Sequence, residues 1–546
     1  MTRMIDIRPP DGVAVLDSAH LGDIEGALGT ICQHDTKPRL TWHRRLVTLL
    51  AILGPGLIVM VGDNDAGAFA TYTQAGQTYG ASLLWTLTLL IPVLYVCQEM
   101  VARLGAVTGV GHARLIFERF GRFWGAFSVI DLFLLNALTI VTEFIGISLA
   151  MEYFGIPKPL GVLVAAGLII AAVSTGSFRR FERFALVVCL GSLVVVPIFL
   201  AAHPPLALVA RNLVVPQMPP GKLSDVMLLI IGIVGTTVAP WQLFFQQSYV
   251  VDKRLSPRFM RYERADMVIG VLATQIGAIA MLAFAAAAFA GTPAFGHFTD
   301  AGGVATGLAK YVGSWAGDLF AIGLVDAAIL GAAAVGLATA YAFGDVLAVR
   351  HSLHRKPTDA WGFYLIYGGL IVFSAVLVLL PDAPLGLITE GVQVLAGVLL
   401  PSATVFLLLL CNDKAVLGPW VNGRWQNLIT GVIVAVLVML SIILTADVMF
   451  PAITDGQILA ILGGGTALGG IGLVVTRLSV NGRKDEDTAD PQAADRSTWR
   501  MPPLHRLPPP RLSLVTRAWL GVLRLYLAMA TIMVVVRVVQ IAVGNG

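Results

Sequence analysis

The chain has 546 residues, of which 57% are hydrophobic and only 13% are charged, about half the charged share of a typical soluble domain. Such a sequence has too little polar surface to cover a water-soluble fold of this size. It is long enough for about twelve membrane helices of about 20 apolar residues each. The net charge of +4 does not indicate a nucleic-acid partner, because the basic residues stand in short loops between apolar segments. Composition therefore excludes a soluble enzyme and predicts an all-α polytopic membrane protein.

The N-terminal region, residues 1–43, is polar and mixed in sequence. We expect no secretory signal peptide here and interpret the region as a cytosolic tail. Its stretch VAVLDSAHLGDIEGALGTI predicts one amphipathic cytosolic helix. The four cysteines of the chain show neither a metal-site spacing nor a disulfide framework.

Residues 44–476 form the predicted transmembrane domain, which contains a dozen apolar segments. The segments lie near residues 46–76, 81–102, 123–152, 160–176, 184–202, 224–249, 267–290, 315–347, 362–380, 388–410, 427–449 and 454–476. The loops on one side of these segments are rich in Arg and Lys, whereas the other side carries Lys158, Arg211, Lys222 and Lys310. Because basic loops stay in the cytoplasm, this asymmetry places both termini there, in the inner or plasma membrane.

The region after the last segment has two parts. Residues 477–512 form a charged, proline-rich linker that is expected to be cytosolic. Residues 513–546 are apolar but are interrupted by Arg517, Arg524 and Arg537. These arginines favour a helix that lies in the membrane interface or packs on the bundle over a thirteenth span.

Two of the apolar segments are interrupted by polar or helix-breaking residues. The first contains Asp63 and Asp65 beside Gly62 and Gly67, and the sixth contains Pro240. A carboxylate in hydrocarbon marks a cavity, an ion path or a buried pair. Glycine and proline interrupt the hydrogen bonds of a helix and leave backbone carbonyls without donors. A metal ion or its water is a good partner for such carbonyls. The alternative is that Pro240 is only a kink and that Asp63 only ends a helix.

The two breaks are an odd number of segments apart, so the second broken segment enters the membrane from the side opposite to the first. This arrangement is typical of an inverted five-plus-five helix repeat with broken helices 1 and 6 and a binding site near the midplane.

The motifs of the chain resemble those of the NRAMP (natural resistance-associated macrophage protein) divalent-metal transporters over about residues 40–450. The sequence has GPG from Gly54, DAGA from Asp65, QAG from Gln74 and QEMVARLGAVTG from Gln98. Further matches are APWQ from Ala239 and the loop sequences FRRFE and NDKAVLGPWVNGRW. The resemblance implies a leucine-transporter-like fold in the lipid bilayer and transport of a divalent metal ion. It implies no resident cofactor, no nucleic-acid partner and no obligate protein partner.

Typical family members bind the metal through the Asp and Asn of DPGN, the Met of MPH and backbone carbonyls at both breaks. Here Asp65 keeps the Asp, but Ala68 replaces the Asn and Ala239 replaces the Met. A thioether favours soft ions, so its loss leaves a site of oxygen ligands that suits Mg²⁺. The chain is most similar to the NRAMP-related magnesium transporter branch. The implied metal ligands are Asp65, Asp63, Gln242 and carbonyls near Ala66 and Ala239.

The proton-coupling residues of typical members are also reduced. Glu143 in the third segment is retained, but Ile140 stands at the position of its partner Asp, and the two family histidines align with Trp241 and Gln246. Without Asp at position 140, Glu143 and Asp65 lack the carboxylate that would pass a proton between them. We therefore expect transport without proton coupling.

Several further residues are candidates for the cavity or its gating. They are Gly67, Ala68, Pro240, Trp241, Glu143, Gln246 and Gln393. Glu99 and Asp326 are also intramembrane carboxylates, which either line the ion path or serve packing.

The sequence predicts a transporter that is not an enzyme and that moves Mg²⁺, with Mn²⁺ as a second substrate, by alternating access. A proton-coupled Mn²⁺/Fe²⁺ symporter is the first alternative. A sodium–amino-acid symporter of the same fold is a second, although bulky Trp241 beside Pro240 disfavours it. A metal-sensing membrane receptor is an alternative of another class, but both tails are short.

Overall fold

The computed structural model describes residues 14–381, 385–450, 453–481 and 496–510, together with 517, 520, 521 and 523–525. Within these residues the protein is helical apart from one small hairpin. Eight helices are long and apolar enough to cross a membrane, or ten if each of two bent helix pairs forms one span. The all-α polytopic architecture is thus confirmed, and the count of twelve spans stays a prediction.

The α-helices follow one another through short connections. They are α1 Trp42–Ile52, α2 Pro55–Val61, α3 Ala66–Tyr79, α4 Leu84–Thr108, α5 His112–Phe120, α6 Arg122–Tyr153, α7 Lys158–Val173, α8 Phe178–Gly191, α9 Val195–Ala202, α10 Leu206–Val214, α11 Leu223–Thr237, α12 Pro240–Asp252, α13 Met260–Phe289, α14 Ala301–Tyr311, α15 Ser314–Leu347, α16 Trp361–Leu379, α17 Leu385–Cys411, α18 Lys414–Leu417, α19 Arg424–Met449 and α20 Asp455–Asn481. Short 3₁₀ turns lie at Ser18–His20, Gly80–Leu83, Ser192–Val194, Pro257–Phe259, Gly418–Trp420 and Leu504–Arg506.

Each predicted apolar segment overlaps at least one of these helices, and the two predicted breaks are present. The first segment divides into α2 and α3, with residues 62–65 between them. The sixth divides into α11 and α12 at Val238 and Ala239. Pro240 opens α12 as its first residue, where its missing N–H and fixed φ cost nothing. Pro240 is therefore the start of a second helix and not a kink within one.

The broken helices lie inside a bundle formed by the long helices. Helix α13 packs along α2, α3 and α4, and α15 packs along α6. Small residues allow these close approaches: a Cβ added to Gly76 of α3 would lie 2.2 Å from the Leu282 carbonyl oxygen of α13. Such packing replaces the hydrophobic effect as the force between helices in lipid.

The prediction of an amphipathic helix in the N-terminal region is wrong. Ile24–Gly26 (β1) and Gly29–Ile31 (β2) form an antiparallel hairpin in which Ile24 pairs with Ile31. The hairpin packs on α1, and a Cβ at Gly26 would lie 2.0 Å from the Ala51 carbonyl oxygen. Glycine is required for this contact, and glycine disfavours a helix.

Part of the C-terminal region packs on the bundle. In the linker, Met501 N–H donates to the Val107 carbonyl oxygen at 3.1 Å. Beyond the linker, the Arg524 guanidinium lies 4.1 Å from the ring centre of Phe123 in α6. Most of residues 513–546 lie outside the described part of the chain, so the relation of this stretch to the membrane stays a prediction.

Candidate functional site

Asp65 stands at the first break and caps the N-terminus of α3. Its carboxylate accepts the N–H of Ala68 at 2.9 Å, while the N–H of Ala66 donates to Oε2 of Glu143 at 3.1 Å. In a continuous helix these two N–H groups would bond the carbonyls of Asn64 and Gly62. Those carbonyls are therefore left without their helical partners and are available to a cation. The Ala66 carbonyl, by contrast, lies in the first turn of α3 and belongs to that helix.

The second break frees backbone oxygens in the same way. Because Pro240 has no N–H, the Thr236 carbonyl has no helical donor four residues ahead. The Ala239 carbonyl already accepts the Gln242 N–H at 3.2 Å, and the Thr237 carbonyl accepts the Gln242 side-chain amide at 3.3 Å. The Thr236 carbonyl is thus available to an ion at this break.

The two breaks meet at a cavity of about 50 Å³. One buried water needs about 10–15 Å³ of cavity volume, so the cavity has room for an ion with several waters. Its lining includes Asp65, Gly67, Thr236, Ala239 and Trp241, and α6 adds Leu135, Thr139 and Thr142. The polar groups of these side chains are one carboxylate, hydroxyls and the Trp241 indole N–H. Among the described residues, no three His, Cys, Asp or Glu side chains form a ready metal-binding cluster.

Asp63 and Gln242 are brought together, but neither lines this cavity. The Gln242 side-chain amide donates to Asp63 Oδ1, and Gln98 Nε2 donates to Gln242 Oε1 at 3.1 Å. Asp63 is fully buried, and its Oδ2 has no hydrogen-bond partner within the described ranges. This pair joins the two breaks directly, next to the cavity.

Glu143 lies beside Asp65. The two carboxyl groups are neighbours, because a Cβ at Gly331 of α15 would lie 2.9 Å both from Asp65 Cβ and from Glu143 Cδ. Gly331 therefore permits α15 to close over the pair. Ile140 supplies no carboxylate between Glu143 and Asp65, as the sequence indicated, but the two residues are themselves neighbours, so the absence of proton coupling stays a prediction.

The other candidates have different surroundings. Trp241 is buried against the cavity, and Ala68 contributes the N–H that Asp65 accepts. Gln246 points away, with Nε2 3.5 Å from Glu263 Oε1 in α13. The side chain of Gln393 lies outside the described part of the structure.

Glu99 and Asp326 do not line the cavity. Glu99 pairs with Arg103 at 3.2 Å and with Arg264 at 2.7 Å, which identifies it as a packing residue. Asp326 of α15 lies against α8, where a Cβ at Gly191 would be 2.2 Å from its Oδ1.

A buried polar network closes the end of the bundle next to the N-terminal hairpin. Lys253 Nζ donates to Glu182 Oε1 and to the Ile52 carbonyl, both at 2.6 Å, and neither ionic side chain is exposed. The Asp266 carboxylate accepts three N–H groups at the start of α2, including that of Gly56 at 2.7 Å. We call Glu182, Lys253 and Asp266 the basal network. Sequence reasoning missed its role, although Glu182 lies in the FRRFE motif.

The N-terminal segment completes this closed end. Asp17 accepts from Arg355 Nε at 3.0 Å and from the His351 N–H at 2.9 Å, and the Ala27 N–H donates to Glu182 Oε2. Burial by itself raises the pKa of Asp17, but the Arg355 guanidinium and two backbone N–H groups hold it below its usual range. Asp17 is therefore charged at neutral pH, and the segment is tied to the basal network.

A family model described as natural resistance-associated macrophage protein-like (Nramp) matches residues 56–447. The chain belongs to the Nramp family. It is 28% identical over 432 residues to the divalent metal cation transporter MntH of Pectobacterium carotovorum, covering 73% of this chain and 95% of that protein. It is 31% identical over 407 residues to the MntH of Ralstonia nicotianae, covering 71% of this chain and 89% of that protein.

Solved structures show the same fold. A crystal structure of the Eremococcus coleocola manganese transporter matches with a TM-score of 0.62 at 20% identity, covering 82% of this chain and 98% of that one. The structure of a histidine-to-alanine mutant of that transporter matches with a TM-score of 0.60 at 19% identity, covering 83% of this chain and 97% of that one. This Nramp protein is thus a multi-pass membrane transporter with the leucine-transporter-like fold, and its substrate is a divalent metal cation.

Proposed function

We propose that this Nramp protein moves Mg²⁺, with Mn²⁺ as a second substrate, across a bacterial plasma membrane. The observation that carries the proposal is Ala239, which lines the cavity beside Asp65 where typical members have methionine. Without a thioether the site offers oxygen, and it has room for water. Mg²⁺ suits such a site, because it keeps several waters and binds through one or two carboxylates. These features support membership of the magnesium branch of the family.

The proposed mechanism is alternating access, and the difference between the two ends of α2 supports it. Residues of both breaks line the cavity beyond the end of α2, whereas the buried basal network holds the start of that helix. With both termini in the cytoplasm, the closed end faces the cytoplasm and the cavity faces outward. Release of the ion then requires α2 to move away from Lys253 and Asp266, which anchor its start.

We further propose that this transport is not coupled to protons, since Trp241 and Gln246 replace the two family histidines and neither side chain titrates near neutral pH. The second candidate is a proton-coupled Mn²⁺/Fe²⁺ symporter. The proximity of Glu143 and Asp65 favours it, because a proton can pass between neighbouring carboxyl groups.

One experiment tests both points. Sealed liposomes that contain the protein carry a Mg²⁺ indicator and a pH-sensitive dye inside, and Mg²⁺ or Mn²⁺ is added outside. We expect Mg²⁺ uptake that competes with Mn²⁺, no acidification of the lumen, and little acceleration by an inward proton gradient. Liposomes with Asp65→Ala serve as the inactive control.

Two outcomes would contradict the proposal. A preparation that moves Mn²⁺ but not Mg²⁺ would remove the magnesium assignment. Metal-dependent acidification that Glu143→Gln abolishes would identify a proton-coupled symporter instead.

A further inference from the structure

Two threonines of α6 line the cavity next to Asp65, and both hydroxyls bond the helix backbone. Thr139 Oγ1 donates its proton to the Leu135 carbonyl at 2.9 Å, and Thr142 Oγ1 donates to the Thr139 carbonyl at 2.7 Å. A hydroxyl has one proton and two lone pairs. Because each proton is committed to the helix backbone, both hydroxyls can offer only lone pairs to the cavity.

A wall of acceptors matches a hydrated cation. Water bound to a metal ion through its oxygen directs its two hydrogens outward, so it can donate but has little capacity to accept. Mg²⁺ in particular loses its waters reluctantly. A cavity that recognises it must therefore provide acceptors at a distance from the ion, in addition to the carboxylate that contacts the ion or its waters.

We propose that Thr139 and Thr142 accept hydrogen bonds from the waters that remain on Mg²⁺ while Asp65 holds the ion, and that they thereby select the hydrated ion. The proposal rests on the proposed magnesium transport and names the residues that recognise the substrate's water shell. Thr236 provides an oxygen on the opposite wall: its Oγ1 would be 4.0 Å from a Cβ on Gly67, which neighbours Asp65. The three hydroxyls thus flank the cavity from α6 and α11.

The bonding state of Thr139 and Thr142 occurs elsewhere in the protein without a cavity, which supplies a matched control. Thr86 at the start of α4 donates to the Leu83 carbonyl at 2.7 Å, the same three-residue bond that Thr142 makes, and it is buried. Substitution of Thr by Val keeps the shape and removes the hydroxyl at each position. Because such bonds to the helix backbone do not stabilise a helix, the Val variants are expected to fold.

The test measures KM and kcat for Mg²⁺ and for Mn²⁺ in liposomes with the full-length protein and its Thr139→Val, Thr142→Val, double and Thr86→Val variants. Loss of one hydrogen bond to a metal-bound water should raise KM for Mg²⁺ about fivefold, with a smaller rise for Mn²⁺. Thr86→Val should match the parent protein. Thr139→Ser, which retains the hydroxyl, should restore most of the Mg²⁺ affinity. Elution as a single species in detergent verifies folding.

The outcomes distinguish this proposal from the proposal of magnesium transport on which it rests. If the parent protein takes up Mg²⁺ and the double variant keeps the same ratio of Mg²⁺ to Mn²⁺ KM values, the role of the two threonines is refuted while magnesium transport stands. If the parent protein moves Mn²⁺ but no Mg²⁺, both proposals fail.

Discussion

At the residue scale, Asp65 performs two tasks that are separable in chemistry. Its carboxylate caps α3 through the N–H group of Ala68, and it faces the cavity. Capping requires only an acceptor oxygen, whereas holding a cation requires charge. Asp63 has the same side chain but is bound to Gln242 outside the cavity lining. In this conformation Asp65 is the carboxylate that an entering ion meets.

We expect Asp65→Asn and Asp65→Ala both to abolish metal uptake, because each removes the charge that attracts the cation. Asn keeps an oxygen that can cap α3, whereas Ala loses the cap at a cost of about 1 kcal/mol. Removal of a buried carboxylate also relieves its desolvation, so neither variant should unfold. Uptake in liposomes and thermal unfolding in detergent measure the two effects separately. Normal uptake by Asp65→Asn would show that the cation is held elsewhere.

At the element scale, helix α2 is held at its start by groups from three other parts of the chain. Gly54 precedes it with φ of 154°, and a Cβ there would lie 2.2 Å from Glu182 Oε1. Lys253, which follows α12, donates to the Leu53 carbonyl, and Asp266 of α13 accepts the N–H groups of Gly54 and Gly56. The short helix is thus fixed by buried ionic groups rather than by its own length.

The basal network gives a measurable prediction of stability. We expect Lys253→Met to destabilise the protein by about 3–5 kcal/mol, because it leaves the Glu182 carboxylate buried without its cation. The double variant Lys253→Met/Glu182→Gln should recover part of this loss, since the remaining side chain is neutral. Thermal unfolding in detergent compares the variants with Lys310→Met, an exposed control. A double variant no more stable than Lys253→Met would contradict the pairing.

At the scale of the whole molecule, the N-terminal segment joins parts of the chain that are distant in sequence. Asp17 binds Arg355 across 338 positions, and Ala27 binds Glu182 across 155. These contacts gather α8 and the connection after α15 at the closed end. Because the basic loops lie at this same end, we expect it to face the cytoplasm.

Native cysteines can test this orientation. Cys32 is exposed next to the hairpin, whereas Cys97 and Cys411 are buried and Cys189 is half-buried. A membrane-impermeant maleimide should label Cys32 in inside-out vesicles but not in intact spheroplasts. Cys32→Ser should lose this labelling and serves as the control. Labelling of Cys32 from the outside of intact cells would reverse the assigned topology.

The sequence by itself determined the features that depend on local composition. A carboxylate or a proline within an apolar segment is visible without a structure, so the apolar segments, both breaks and the membrane fold followed from the chain alone. The loss of the thioether at Ala239 is likewise a property of one position.

Only the tertiary structure decided which side chains meet. Glu143 of α6 lies beside Asp65, where Gly331 lets α15 pack over both, and Lys253 pairs with Glu182 across 71 positions. The N-terminal hairpin formed in place of a helix because Gly26 packs against the Ala51 carbonyl. These contacts depend on the distance between helices, which small residues on two different elements set together. No local pattern encodes that distance.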